Sequence, residues 1–72
     1  MRYYFHLESD TNVQIDPQGV EFDRYQDAWD HAQTLARDLG TDPRWRGWRV
    51  SVVDAHNTQI FVEPIMVPSR RA

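Results

Sequence analysis

Chemistry in this chain could come from three histidines, His6, His31 and His56, from carboxylates such as Glu8, Glu21 and Glu63, and from the run Arg44-Trp45-Arg46-Gly47-Trp48-Arg49. A zinc site needs paired ligands a few residues apart, and then a second pair. Here the histidines are scattered, cysteine is absent, and Asp54 with His56 is a single pair on a turn. No metal and no cofactor is expected. Acid–base catalysis needs a carboxylate or imidazole in an environment that shifts its proton affinity. Glu8, Glu21, Glu63 and His6 qualify by type, but no spacing brings two of them together. Solvated or cross-strand-paired roles fit them better, with His6 satisfied by a neighbour on a strand and His31 solvated on the polar side of a helix. Ser51 alternates with valines and does not stand on a nucleophile elbow. The three glycines are isolated, so no phosphate loop exists. The chain is not expected to be an enzyme.

The arginine–tryptophan run has two readings. Arg44 and Arg46 could hold phosphate while Trp45 stacks on a base. Alternatively, Trp48 faces the core, Trp45 packs under the loop, and the arginines pair with the acidic helix. Alternation along the following strand points Trp48 inward, and the chain as a whole is acidic, with net charge −3. Packing is therefore the favoured reading, and nucleic acid is not an expected partner. Arg44, Trp45 and Arg46 are the residues that would carry such a contact.

The charge is unevenly spread. Residues 1–36 hold seven carboxylates against two arginines, or −5; residues 37–72 hold six arginines against four carboxylates, or +2. All eight basic residues are arginine. Arginine suits carboxylate pairing and aromatic stacking, although a GC-rich genome yields the same bias. Nothing approaches the ~20 apolar residues of a membrane span, and the N-terminus lacks the apolar core of a signal peptide. A cytoplasmic location without membrane contact is expected.

These residues must be held by a few short elements. Arg2 to Glu8 alternates as a strand, with Tyr3, Phe5 and Leu7 on one face and Tyr4, His6 and Glu8 on the other. Val13-Gln14-Ile15 reads as a second strand. Asp16-Pro17-Gln18-Gly19 is a β-turn with Gly19 free to take positive φ, after which Val20-Glu21-Phe22 resumes extended chain. Asp23 is placed to cap a helix, with Gln26 completing a capping box. Ala28, Ala32, Leu35, Ala36 and Leu39 fall on one helical stripe with Trp29 at its edge. Gly40 marks the stop. Trp48, Val50 and Val52 alternate along a third strand, Asn57 is suited to the left-handed position of the next turn, and a fourth strand runs from Gln59 to Val62. Pro64 should end regular pairing.

The predicted fold class is α+β, a small antiparallel β-sheet with one α-helix on one face, in the order β-β-α-β-β. One domain spans 1–68, and 69–72 form a flexible C-terminal tail. The expected core is Tyr3, Phe5, Leu7, Ala28, Leu35, Trp48, Val50, Val52 and Ile60 or Phe61. The other sheet face would present Tyr4, His6, Arg49, Ser51, Val53, Phe61 and Glu63. Of these, Tyr4, His6, Arg49, Val53 and Phe61 form the candidate partner surface. A 72-residue chain buries only about 60% of its unfolded surface and has few internal supplements. Self-association as a homodimer is expected, with the apolar part of that face pairing with itself. Ile65-Met66-Val67 packs either on its own domain or on a neighbour.

The chain resembles a family of short, uncharacterised bacterial proteins, common in alphaproteobacteria and described as a domain of unknown function. The resemblance rests on Arg2-Tyr3-Tyr4-Phe5-His6-Leu7, on Asp16, Gly19 and Glu21, on Ala28, Ala32 and Ala36, and on Trp48-Arg49-Val50 with Val52 and Asp54. It implies no activity and no site residues. The first half also bears a weaker likeness to HicB-type antitoxins, which share such an opening strand and an Ala-rich helix. The expected function is a small non-enzymatic interaction or accessory module acting through protein–protein contacts. The alternative is a toxin-neutralising or nucleic-acid-associated regulator.

Overall fold

The computed structural model describes residues 1–68; the tail expected at 69–72 lies outside the described residues. Five strands and one helix follow one another as β1 (Arg2–Glu8), β2 (Val13–Gln14), β3 (Val20–Glu21), α1 (Tyr25–Leu39), β4 (Arg49–Val53) and β5 (Gln59–Pro64). The sheet is antiparallel throughout, with β1 and β4 at its centre and β5 at one edge. At the other edge, β2 pairs with Leu7 and Glu8, and β3 pairs with Arg2 and Tyr3. The predicted α+β class is borne out, with one more strand than expected: the extended run at Val20 is a separate partner for β1.

The core lies between α1 and one face of the sheet. Tyr3, Phe5, Val50, Val52 and Ile65 are buried there against Ala28, Ala32 and Ala36. The alanines allow α1 to lie close to the sheet. Leu7, Leu35, Trp48, Ile60 and Phe61 pack around this centre and stay partly exposed. Ile65 settles where the C-terminal apolar segment goes: its N–H donates to the Trp48 carbonyl at 3.0 Å and its side chain enters the same core.

Several boundaries differ from the sequence expectation. Asp23 does not cap α1. Arg24 holds the N-cap position with extended φ and ψ, no side chain caps the helix, and the Asp27 and Ala28 N–H groups donate to the Arg24 carbonyl. At the other end Gly40 is the C-cap, but its φ is −65°, not left-handed. Its need for glycine is steric: a Cβ there would stand 2.5 Å from the Met66 carbonyl oxygen, where the returning chain crosses the helix end. Asn57 takes the left-handed conformation expected of it, with φ 63°.

Strand β5 continues through Pro64, which pairs with Arg49. Because Ile65 donates toward β4, alternation turns the backbone groups of Pro64 and Val62 to the outside of the sheet. The missing proline N–H thus falls where the ladder to β4 does not need it.

Candidate functional site

Strand register decides what the uncovered sheet face carries. Tyr4 stands opposite Val53, His6 opposite Ser51, Glu8 opposite Arg49, and Val62 opposite Ser51 on its other side. These residues share the face away from α1. Phe61, expected on this face, stands opposite Val52, and Glu63 stands opposite Val50. Both therefore belong to the helix side, where Phe61 lies 5.6 Å from the rings of Tyr25 and Trp29. The reason is a register shift between Val52 and Val53, which fixes the phase of β5 relative to β4. A strand's own alternation defines its two faces but not which one meets the core. Of the expected partner surface, Tyr4, His6, Arg49 and Val53 are brought together; Phe61 is not.

The face is ordered from within. Val53 and Ser51 are buried on the face away from α1. The Gln59 side chain spans to Ser51, donating from Nε2 to Oγ at 2.7 Å. The Tyr4 and His6 rings stack with centroids 6.4 Å apart. Arg49 is held between Glu8 at 3.5 Å and Asp10 at 3.6 Å.

Asp16 anchors one side of this face, a role the sequence reading did not assign to it. On the side away from β4, strands β2 and β3 leave the middle of β1 unpaired, and the Asp16 carboxylate fills the gap by accepting from the Phe5 N–H at 3.2 Å. It also accepts from the Gln18 and Gly19 N–H groups, closing the expected turn. Its own N–H donates to His6 Nδ1 at 3.0 Å, so the neutral imidazole carries its proton on Nε2. His6 is thus satisfied by a neighbour, as expected. Burial pushes the Asp16 carboxyl up, but the N–H donors of Gly19, Phe5 and Gln18 outweigh it and hold the group below the ordinary carboxylate range. Gly19, at φ 71°, lies so close to Tyr3 and Tyr4 that a Cβ would come within 2.8 Å of the Tyr3 carbonyl oxygen. Asp-Pro-x-Gly signals the turn; nothing local signals the bond to Phe5, eleven residues away.

His31 corrects the sequence reading. It is half-buried on the core side of α1, with its ring 4.7 Å from Phe5 and 5.5 Å from Phe22. It makes an aromatic wall beside the alanine stripe.

The Arg44–Trp45–Arg46 segment forms a 3-10 turn at Pro43–Trp45. Arg44 is tied to Asp42 at 2.7 Å, and that pairing holds the Asp42 carboxyl low. Trp45 and Trp48 meet edge to face at 5.0 Å, both half-buried, in line with the packing reading. The arginines do not pair with the acidic helix: Arg44 meets Asp42, Arg49 meets Glu8 and Asp10, and Arg46 reaches the Val67 carbonyl at 3.5 Å. Each is drawn to the acid or carbonyl nearest its own strand or turn. Arg46 also borders an open groove between the end of α1 and the returning chain, with Arg37, Glu63 and Met66.

Among the described residues, no three His, Cys, Asp or Glu side chains gather as a metal site would require. No helix among them is long and apolar enough to cross a membrane. The geometry offers a stiff, mixed apolar and charged sheet face. No curated protein and no solved structure matches the chain. The expected kinship with a domain of unknown function is borne out over nearly all of the described chain. With the family model matching residues 2–66, the chain belongs to the family described as Domain of unknown function (DUF6894).

Proposed function

We propose that this protein is a small non-enzymatic interaction module that acts through protein–protein contacts and self-associates as a homodimer. The observation that carries this reading is the uncovered sheet face. Tyr4, His6, Arg49 and Val62 lie on it around buried Ser51 and Val53, with the turn at Asp16 fixing its edge. Preorganised aromatic and arginine side chains are the groups that anchor protein interfaces. The returning segment does not cover this face, because Ile65 enters the core on the helix side. A toxin-neutralising or nucleic-acid-associated role draws no support from the Arg44 turn, where one arginine is neutralised by Asp42 and Trp45 is packed on Trp48.

The test is capture of proteins from a lysate of the source organism on the immobilised full chain, compared with the double variant Tyr4→Ser, Arg49→Ala. The reading expects a partner retained by the parent chain and lost on the variant while the variant keeps its fold by circular dichroism. Partners held equally by both would remove this face as the contact surface.

A further inference from the structure

We infer that the open edge of β5 pairs, antiparallel and two-fold, with the β5 edge of a second copy of this chain. This rests on the homodimer reading above and assigns its surface. The two sheet edges are built differently. Beside β1 the edge is closed by β2, by β3 and, between them, by the Asp16 carboxylate on the Phe5 N–H. Beside β5, no strand among the described residues pairs. Edge strands usually carry lysine, proline or bulges along their length to block such pairing. In β5 the guards are the register shift, which leaves Ile60 without a Cα partner on β4, and Pro64 at the end. Next to the shift, Phe61-Val62 is uncharged and apolar.

The backbone sets the register. The N–H and C=O of Val62 point outward. A two-fold axis at Val62 makes it a hydrogen-bonded pair with its own copy, each N–H donating to the other's carbonyl. Glu63 then stands opposite Phe61 of the second copy, so no like charges meet. Side chains on both faces support the same seam. Val62 is 41% exposed on the uncovered face. On the helix side Tyr25 and Trp29, 48% and 42% exposed, flank Phe61. Half-exposed rings of this size offer on the order of 100 Å² each. Together with the edge backbone they fall short of the ~800 Å² per partner of a standard interface. The dimer is therefore a weak one, forming at micromolar to millimolar concentration.

The experiment is sedimentation equilibrium on the full chain across that range, with Val62→Lys and Trp29→Gln alongside, and with amide exchange of Val62 followed by NMR. The parent should move from monomer toward dimer. Each variant should weaken association at least tenfold, Trp29→Gln serving as the mild change on an exposed helix position should Val62→Lys fail to fold. The Val62 amide should gain protection as concentration rises. Association that Trp29→Gln leaves unaltered, or a Val62 amide that exchanges freely in the dimer, would overturn the edge and leave the uncovered sheet face as the dimer surface. A monomer throughout would overturn both the edge and the homodimer reading.

Discussion

Asp16 holds together parts of the chain that have no strand between them, and its removal should be felt well beyond its own turn. Asp16→Asn keeps an acceptor for Gln18 and Gly19 but sets an amide against the Phe5 N–H. A loss of about 1–2 kcal/mol at neutral pH is expected by urea unfolding. The pH dependence has a definite sign. The folded carboxyl is held below its unfolded value near 3.8. The stability it contributes is present above that value and is lost as pH falls through the folded pKa. Urea midpoints should therefore keep a constant gap between parent and variant above about pH 4, and the gap should narrow below it. A gap unchanged at strongly acidic pH would mean that Asp16 acts only through shape. Asp54, Asp42 and Glu21 are also held low, by the Thr58 N–H, by Arg44 and by the N-terminal ammonium respectively, so the difference between the two proteins is the informative quantity. At this scale the turn was legible from Asp-Pro-Gln-Gly and the left-handed site from Asn57. The bond from Asp16 to Phe5 was not, because it depends on two short strands leaving a gap between them.

At the scale of elements, α1 shows how a readable pattern can carry the wrong cause. The alanine spacing located the helix, yet its start and stop work otherwise than the sequence suggests. Asp23→Ala removes no capping bond and should change stability by less than about 0.5 kcal/mol. Gly40→Ala should cost about 1–3 kcal/mol, since the new methyl meets the Met66 carbonyl and the returning chain must shift. Thermal unfolding of both variants separates the two ends. A harmless Gly40→Ala would mean that Ile65 does not need this crossing to reach the core. Alternation made β1 and β4 legible with their inner faces correct, because Tyr3, Phe5, Val50 and Val52 repeat every second residue. It failed for Phe61 because the Val52/Val53 register shift resets the phase of β5. His31 was misread because the core side of α1 is wider than its alanine stripe and admits an aromatic edge against Phe5.

The whole molecule is a thin two-layer domain whose fully buried centre is built from small side chains, with Val50, Ser51 and Val52 the largest of them. Val52→Ala should cost about 2 kcal/mol, a large share of the stability of so small a fold, and chemical denaturation measures it directly. Several apolar groups, Tyr25, Trp29, Val62 and Met66 among them, remain at the surface. The two-layer architecture was legible from the order of periodic segments, whereas which apolar residues stay outside was not, because that depends on register and on where the chain returns after Pro64. These exposed groups are what the proposed self-association would draw on. Sedimentation of the parent chain from low micromolar to millimolar concentration tests this most directly. The weight-average mass should rise from the monomer value of 8.6 kDa toward twice that figure, reversibly on dilution; a mass fixed at the monomer value over the whole range would contradict it.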